Sequence, residues 1–71
     1  MAYQKYRMKI VLLTHKEDTL EVQFEYLAGI YVLHKNRENY VHFINLFMEA
    51  RIKSKVVEIC VLGNNIIEAS M

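Results

Sequence analysis

Proline and tryptophan are absent from these 71 residues, glycine occurs only at positions 29 and 63, and Cys60 is the sole cysteine. With no proline and no Gly- or Ser-rich tract there is no sign of a linker, so residues 1–71 read as a single domain. Two isolated glycines cannot build a phosphate-cradling loop. One cysteine excludes a disulfide within the chain and fits a reducing compartment. Neither sign of charge predominates: the formal net charge is +1, which provides no long-range field to gather nucleic acid. The longest apolar run, Tyr26 to Leu33, is far short of the roughly 20 residues that cross a bilayer. At the basic N-terminus only "IVLL" precedes "THKED", too little for the apolar stretch of about 7 to 15 residues in a secretory signal. These absences predict a cytoplasmic protein with no membrane partner.

What the chain does have is core-forming material, 54% hydrophobic against 24% charged, so it should fold. A domain this small buries only about 60% of the surface that its unfolded chain exposes. Such chains often gain stability by oligomerising.

Residues 6–14 ("YRMKIVLLT") and 19–26 ("TLEVQFEY") predict two strands joined by "HKED". In the second, Leu20, Val22, Phe24 and Tyr26 alternate with Glu21, Gln23 and Glu25, the period of a half-buried strand. Pairing Leu12 with Leu20, Ile10 with Val22, Met8 with Phe24 and Tyr6 with Tyr26 gathers the apolar residues on one face, around an odd-length loop centred on Lys16. Gly29 either turns the chain into a third strand, 30–34, or marks a bulge in one long strand. A helix over 20–34 is the rival reading, because Leu20, Phe24, Leu27 and Tyr31 also fall near helical spacing. Asn36 is suited to cap a helix over 37–53, which Ser54 ends. Residues 55–63 read as a central or doubly covered strand. Asn64 and Asn65 suit a hairpin turn into a last strand, 66–69. The expected architecture is α+β: a small, mostly antiparallel sheet in the order β-β-β-α-β-β, with one helix packed across one face.

That helix carries a narrow polar stripe of Glu38, His42, Asn45, Glu49 and Lys53. Tyr40, Val41, Ile44, Phe47 and Met48 make one apolar face, interrupted by Arg51, and Phe43, Leu46 and Ala50 make a second flank beside it. Apolar side chains thus occupy more circumference than the roughly 100° stripe of an ordinary surface helix. One sheet cannot cover both, so Phe43, Leu46, Phe47 and Ala50 are the expected protein interface, with a two-fold homodimer through the helix as the favoured partner arrangement. An exposed strand edge at 66–69 or 30–34 is a second route to a protein partner.

Chemistry is sparse. His15 lies in a charged turn, His34 ahead of the helix and His42 on the polar stripe. Only a coincidental His34–His42 pair suggests a metal, so neither metal nor cofactor is expected. Cys60 reads as a buried core residue with a raised pKa, and no catalytic residues are assigned. The functional expectation is a non-enzymatic protein-interaction module of inhibitor, antitoxin or regulatory adaptor type, masking a protein partner. The alternative is a nucleic-acid-binding regulator using Lys5, Arg7 and Lys9 with Arg51, Lys53 and Lys55, although Glu21 and Glu25 share the wet sheet face of Arg7 and Lys9.

Overall fold

The computed structural model describes residues 2–71. Its elements follow the expected order: β1 (Gln4–His15), β2 (Thr19–Phe24), β3 (Tyr31–His34), α1 (Tyr40–Lys53), β4 (Val56–Leu62) and β5 (Asn65–Ser70). The protein is α+β, with one helix and a five-stranded mixed sheet. The sheet curls into a closed barrel in the order β1-β2-β3-β5-β4, and α1 packs against β1 and β4. A five-stranded Greek-key barrel with its helix between β3 and β4 is the OB-type arrangement. Residues 27–34 contain a separate short strand after a turn, so the continuous-strand and helical alternatives for that region fall away.

Strand β1 is long because it serves both halves of the barrel. Gln4 through Lys9 pair with β4, and Ile10 through His15 pair with β2. Between Ile10 and Leu12 the register shifts by one residue. Such a bulge bends a strand sharply, as closing a small barrel requires. It also switches which side chains point inward. Ile10 is buried opposite Phe24, but beyond the bulge Leu13, not Leu12, faces Val22. The expected pairings of Leu12 with Leu20 and Ile10 with Val22 are therefore replaced, and Leu12 is exposed. The turn is not an odd loop centred on Lys16: Lys16 N–H bonds the Thr19 carbonyl at 2.8 Å, so the register turns about Glu17 and Asp18 and the loop is even in length. Tyr26, expected on the inner face, instead lies in a turn at positive φ and is 88% exposed.

Strand β4 runs between β1 and β5 with its side chains alternating. Val57, Ile59 and Val61 are buried, while Glu58, Cys60 and Leu62 are half-buried. The β4–β5 turn is Gly63–Asn64 rather than Asn64–Asn65, since Leu62 already pairs with Asn65. Gly63 takes φ +61° at the first turn position, where a two-residue hairpin loop commonly uses glycine. The helix starts later than expected, at Tyr40 after Asn39, and Asn39 makes no side-chain cap bond. It ends as expected at Ser54, which adopts a left-handed conformation (φ 53°) while the next amide, Lys55 N–H, bonds the Ala50 carbonyl at 2.9 Å.

The helix face expected to be free is interior. Phe43, Phe47 and Ala50 are buried within the chain, and Leu46 packs against the same core. The buried face is turned by about one residue step, roughly 100°, from the face centred on Tyr40, Ile44 and Met48. Val41, Met48 and Ile52 are the apolar residues left outside, at 68%, 47% and 78% exposure. Phe47 anchors a core that also contains Leu20, Val22, Leu33, Val57, Ile59, Val61 and Ile66.

Candidate functional site

Antiparallel register places directly opposed residues on one face of a sheet. On the outside of the barrel this aligns two cross-strand rows over β1, β4 and β5. Lys5 stands opposite Cys60, and Cys60 opposite Glu68; Arg7 stands opposite Glu58, and Glu58 opposite Ser70. The rows border a groove of about 320 Å³ that continues past the free edge of β5 toward the start of α1. Its lining combines Lys5, Arg37, Glu58 and Glu68 with Asn39, Cys60 and Ser70, over apolar walls from Phe43, Ile59, Ile67 and Ala69.

Arg37 holds the far wall together. It lies in the β3–α1 connection, where its guanidinium donates to the Ile66 carbonyl and, at 2.7 Å, to the Ile67 carbonyl. Its cation also lies 4.6 Å from the centre of the Phe43 ring, a cation–π geometry. One planar fork thus joins β5 to the first turns of the helix. The remaining ionic contact at the groove is weak. Arg7 meets Glu58 at 3.8 Å with both side chains well exposed.

The positions singled out from sequence are dispersed. Cys60 is not a buried core residue; it is half-buried on the outer row because the inward positions of β4 are odd-numbered. His34 bonds Asn65 at 3.1 Å, and His42 stacks edge-on to Phe43 at 6.2 Å. No histidine lines the groove. Among the described residues, no three His, Cys, Asp or Glu side chains are grouped to hold a metal. Arg7 pairs with Glu58, Lys9 stands opposite Val56, and Lys53 approaches Glu49 at 3.8 Å on the last turn of α1 beside Arg51, with Lys55 following. OB-type barrels take oligonucleotides on the β2–β3 face and the loops after β1 and β4. Here that side carries Glu17, Asp18 and Glu21 beside Lys16 and Lys35, a mixed rather than a basic surface.

Sequence reasoning missed Arg37, Asn39, Glu68 and Ser70. Strand parity alone could have put Glu58 and Cys60 on one outer face, since Val57, Ile59 and Val61 must face the core.

An aromatic cluster ties β1 to β2 and β3. Tyr31 lies 6.1 Å from Tyr6 and 5.8 Å from Phe24, ring centre to ring centre. Desolvation raises the Tyr31 pKa above the ordinary value, and the neighbouring Tyr6 raises it further.

No family model matches the chain, and no curated protein matches it in sequence. A solved structure does match in fold: the crystal structure of pro-protein-glutaminase, with a TM-score of 0.83 at 18% identity over 96% of this chain. This chain spans 25% of that chain's length. The likeness overturns the expectation of a non-enzymatic interaction module, together with its nucleic-acid-binding alternative, because this barrel occurs within the chain of an enzyme. It shows a shared fold. The assignment "not an enzyme" falls with the same finding. Among the described residues no helix is long and apolar enough to cross a membrane.

Proposed function

We propose that this chain is the polypeptide-holding domain of an enzyme that acts on side-chain amides of proteins, and that the groove receives a glutamine side chain. The observation that carries this reading is the composition of the groove. Two cations, Lys5 and Arg37, and two carboxylates, Glu58 and Glu68, cancel in formal charge. Such a lining favours a neutral polar group over an ionised one. A carboxamide offers two N–H donors and one carbonyl acceptor. Glu58 and Glu68 can accept from its nitrogen, while Lys5, Arg37 or Ser70 can donate to its oxygen. The apolar walls suit the two methylenes that carry the amide. The fold match supports the same reading, since the matched structure is that of a protein-glutaminase.

The groove contains a thiol but no imidazole, so its equipment suits holding an amide. An activated thiol would need a base from elsewhere in the enzyme. A lone thiol also suits a reducing compartment, which is where we place the protein.

The test is a titration of isotope-labelled protein with an unfolded glutamine-rich peptide and with the same peptide carrying glutamate instead. The glutamine peptide is expected to shift the resonances of Lys5, Glu58, Cys60 and Glu68 and to slow alkylation of Cys60. The glutamate peptide should bind several-fold more weakly, because the carboxylates of Glu58 and Glu68 on the groove wall oppose a third negative charge. Equal binding of the two, or no response in the groove, refutes the proposal.

A further inference from the structure

We infer that the peptide held in this groove adds as an extra strand to the outer edge of β5. This inference rests on the holding role proposed above and specifies its geometry. The barrel is closed between β3 and β5 by a single parallel bridge, Val32 with Asn65, supported by Val32 N–H on the Asn64 carbonyl at 2.8 Å. Beyond that point β5 pairs with β4 alone. Arg37 occupies the next two carbonyls, those of Ile66 and Ile67. Among the described residues no strand lies against Glu68, Ala69 or Ser70 on that side. This leaves roughly 10 Å of open edge, at about 3.3 Å per residue.

An open edge presents main-chain donors and acceptors in the spacing that another strand matches. Here the edge runs along the groove, with Asn39 and Phe43 on the opposite side. The rows on the outer face state what the added strand should carry. Lys5, Cys60 and Glu68 form one row, so the next position beyond Glu68 favours a cationic or amide side chain. Between such positions the strand would place small apolar residues beside Ala69. The occupant is an extended polypeptide with amide or basic side chains alternating with small apolar ones.

Three hexapeptides test this against the full chain: glutamine alternating with valine, the same sequence with every interior amide N-methylated, and lysine alternating with valine. The first should protect the amides of Glu68, Ala69 and Ser70 from exchange. N-methylation should weaken binding roughly tenfold or more, the loss expected for two or so main-chain bonds. Equal affinity of the methylated peptide, with groove side chains still shifted, overturns strand addition while leaving the holding role intact. No shift from any peptide removes both. Protection of residues 68–70 that appears without peptide as protein concentration rises assigns the edge to a second copy and overturns the inference. Finally, Glu68→Lys should reduce binding of the lysine–valine peptide and enhance binding of a glutamate–valine one. An unchanged preference refutes the row alignment.

Discussion

The guanidinium carbon of Arg37 lies 4.6 Å above the ring of Phe43, and the same group donates to two consecutive carbonyls of β5. This contact substitutes for the strand pairing that β3 is too short to provide. Arg37→Ala should therefore destabilise the protein by about 2 to 3 kcal/mol, from two charge-assisted bonds and a cation–π contact that reinforce one another. Arg37→Lys should recover only part, because an ammonium lacks the fork that reaches both carbonyls at once. Urea denaturation of the two variants checks the order. A lysine variant as stable as the parent would show that charge alone holds this wall.

The helix supplies a second prediction, opposite to the one drawn from periodicity. Phe43 is 5% exposed and Ile52 is 78% exposed. Phe43→Asp should unfold the protein or cost several kcal/mol, since a carboxylate would be buried among apolar groups. Ile52→Asp should change stability by only about 0.5 kcal/mol or less. Circular dichroism during thermal melting distinguishes them. A Phe43→Asp protein that keeps its melting temperature would restore that side chain to the surface.

These two residues show how far the sequence was legible. Alternation in "TLEVQF" correctly placed Leu20, Val22 and Phe24 in the core, because a half-buried strand writes its period directly. The α+β order was readable for the same reason. The β1–β2 register was not, because the bulge after Ile10 breaks the period without any glycine or proline to mark it. The phase of α1 is not legible, because apolar residues surround most of the helix and only the packing of Phe47 and Ala50 decides which side faces in. Of the groove, Cys60 and Glu58 lay on a decipherable parity. Arg37 did not, since its partners are main-chain carbonyls about thirty residues away, which no side-chain pattern records.

Two side chains sit in left-handed backbone, and both offer stabilising substitutions. Ser54 ends α1 at φ 53°, and Tyr26 occupies a turn at φ 62° while almost wholly exposed. A Cβ in this region costs about 1 kcal/mol or somewhat more, which glycine avoids, although glycine gives back part by loosening the unfolded chain. Ser54→Gly is expected to gain about 0.5 to 1 kcal/mol, and Tyr26→Gly a similar amount because no packing is lost. Chemical denaturation midpoints measure both. A decrease for Tyr26→Gly would mean that the ring makes a contact despite its exposure.

Tyr31 makes stability depend on alkaline pH. Desolvation, followed by the adjacent Tyr6 ring, raises its pKa in the folded protein above the ordinary tyrosine value near 10. The folded state thus retains a proton that the unfolded chain gives up. The stabilisation from neutral Tyr31 is complete below the unfolded pKa, and it is lost as pH climbs from there through the folded pKa. Absorbance at the phenolate band should show one of the five tyrosines ionising later than the rest, and unfolding should set in as it does. Tyr6→Phe removes the neighbouring hydroxyl and should bring that late ionisation partly back toward the ordinary value, leaving the burial effect in place. If all tyrosines titrate together in native protein, Tyr31 is better hydrated than its packing against Phe24 and Tyr6 implies.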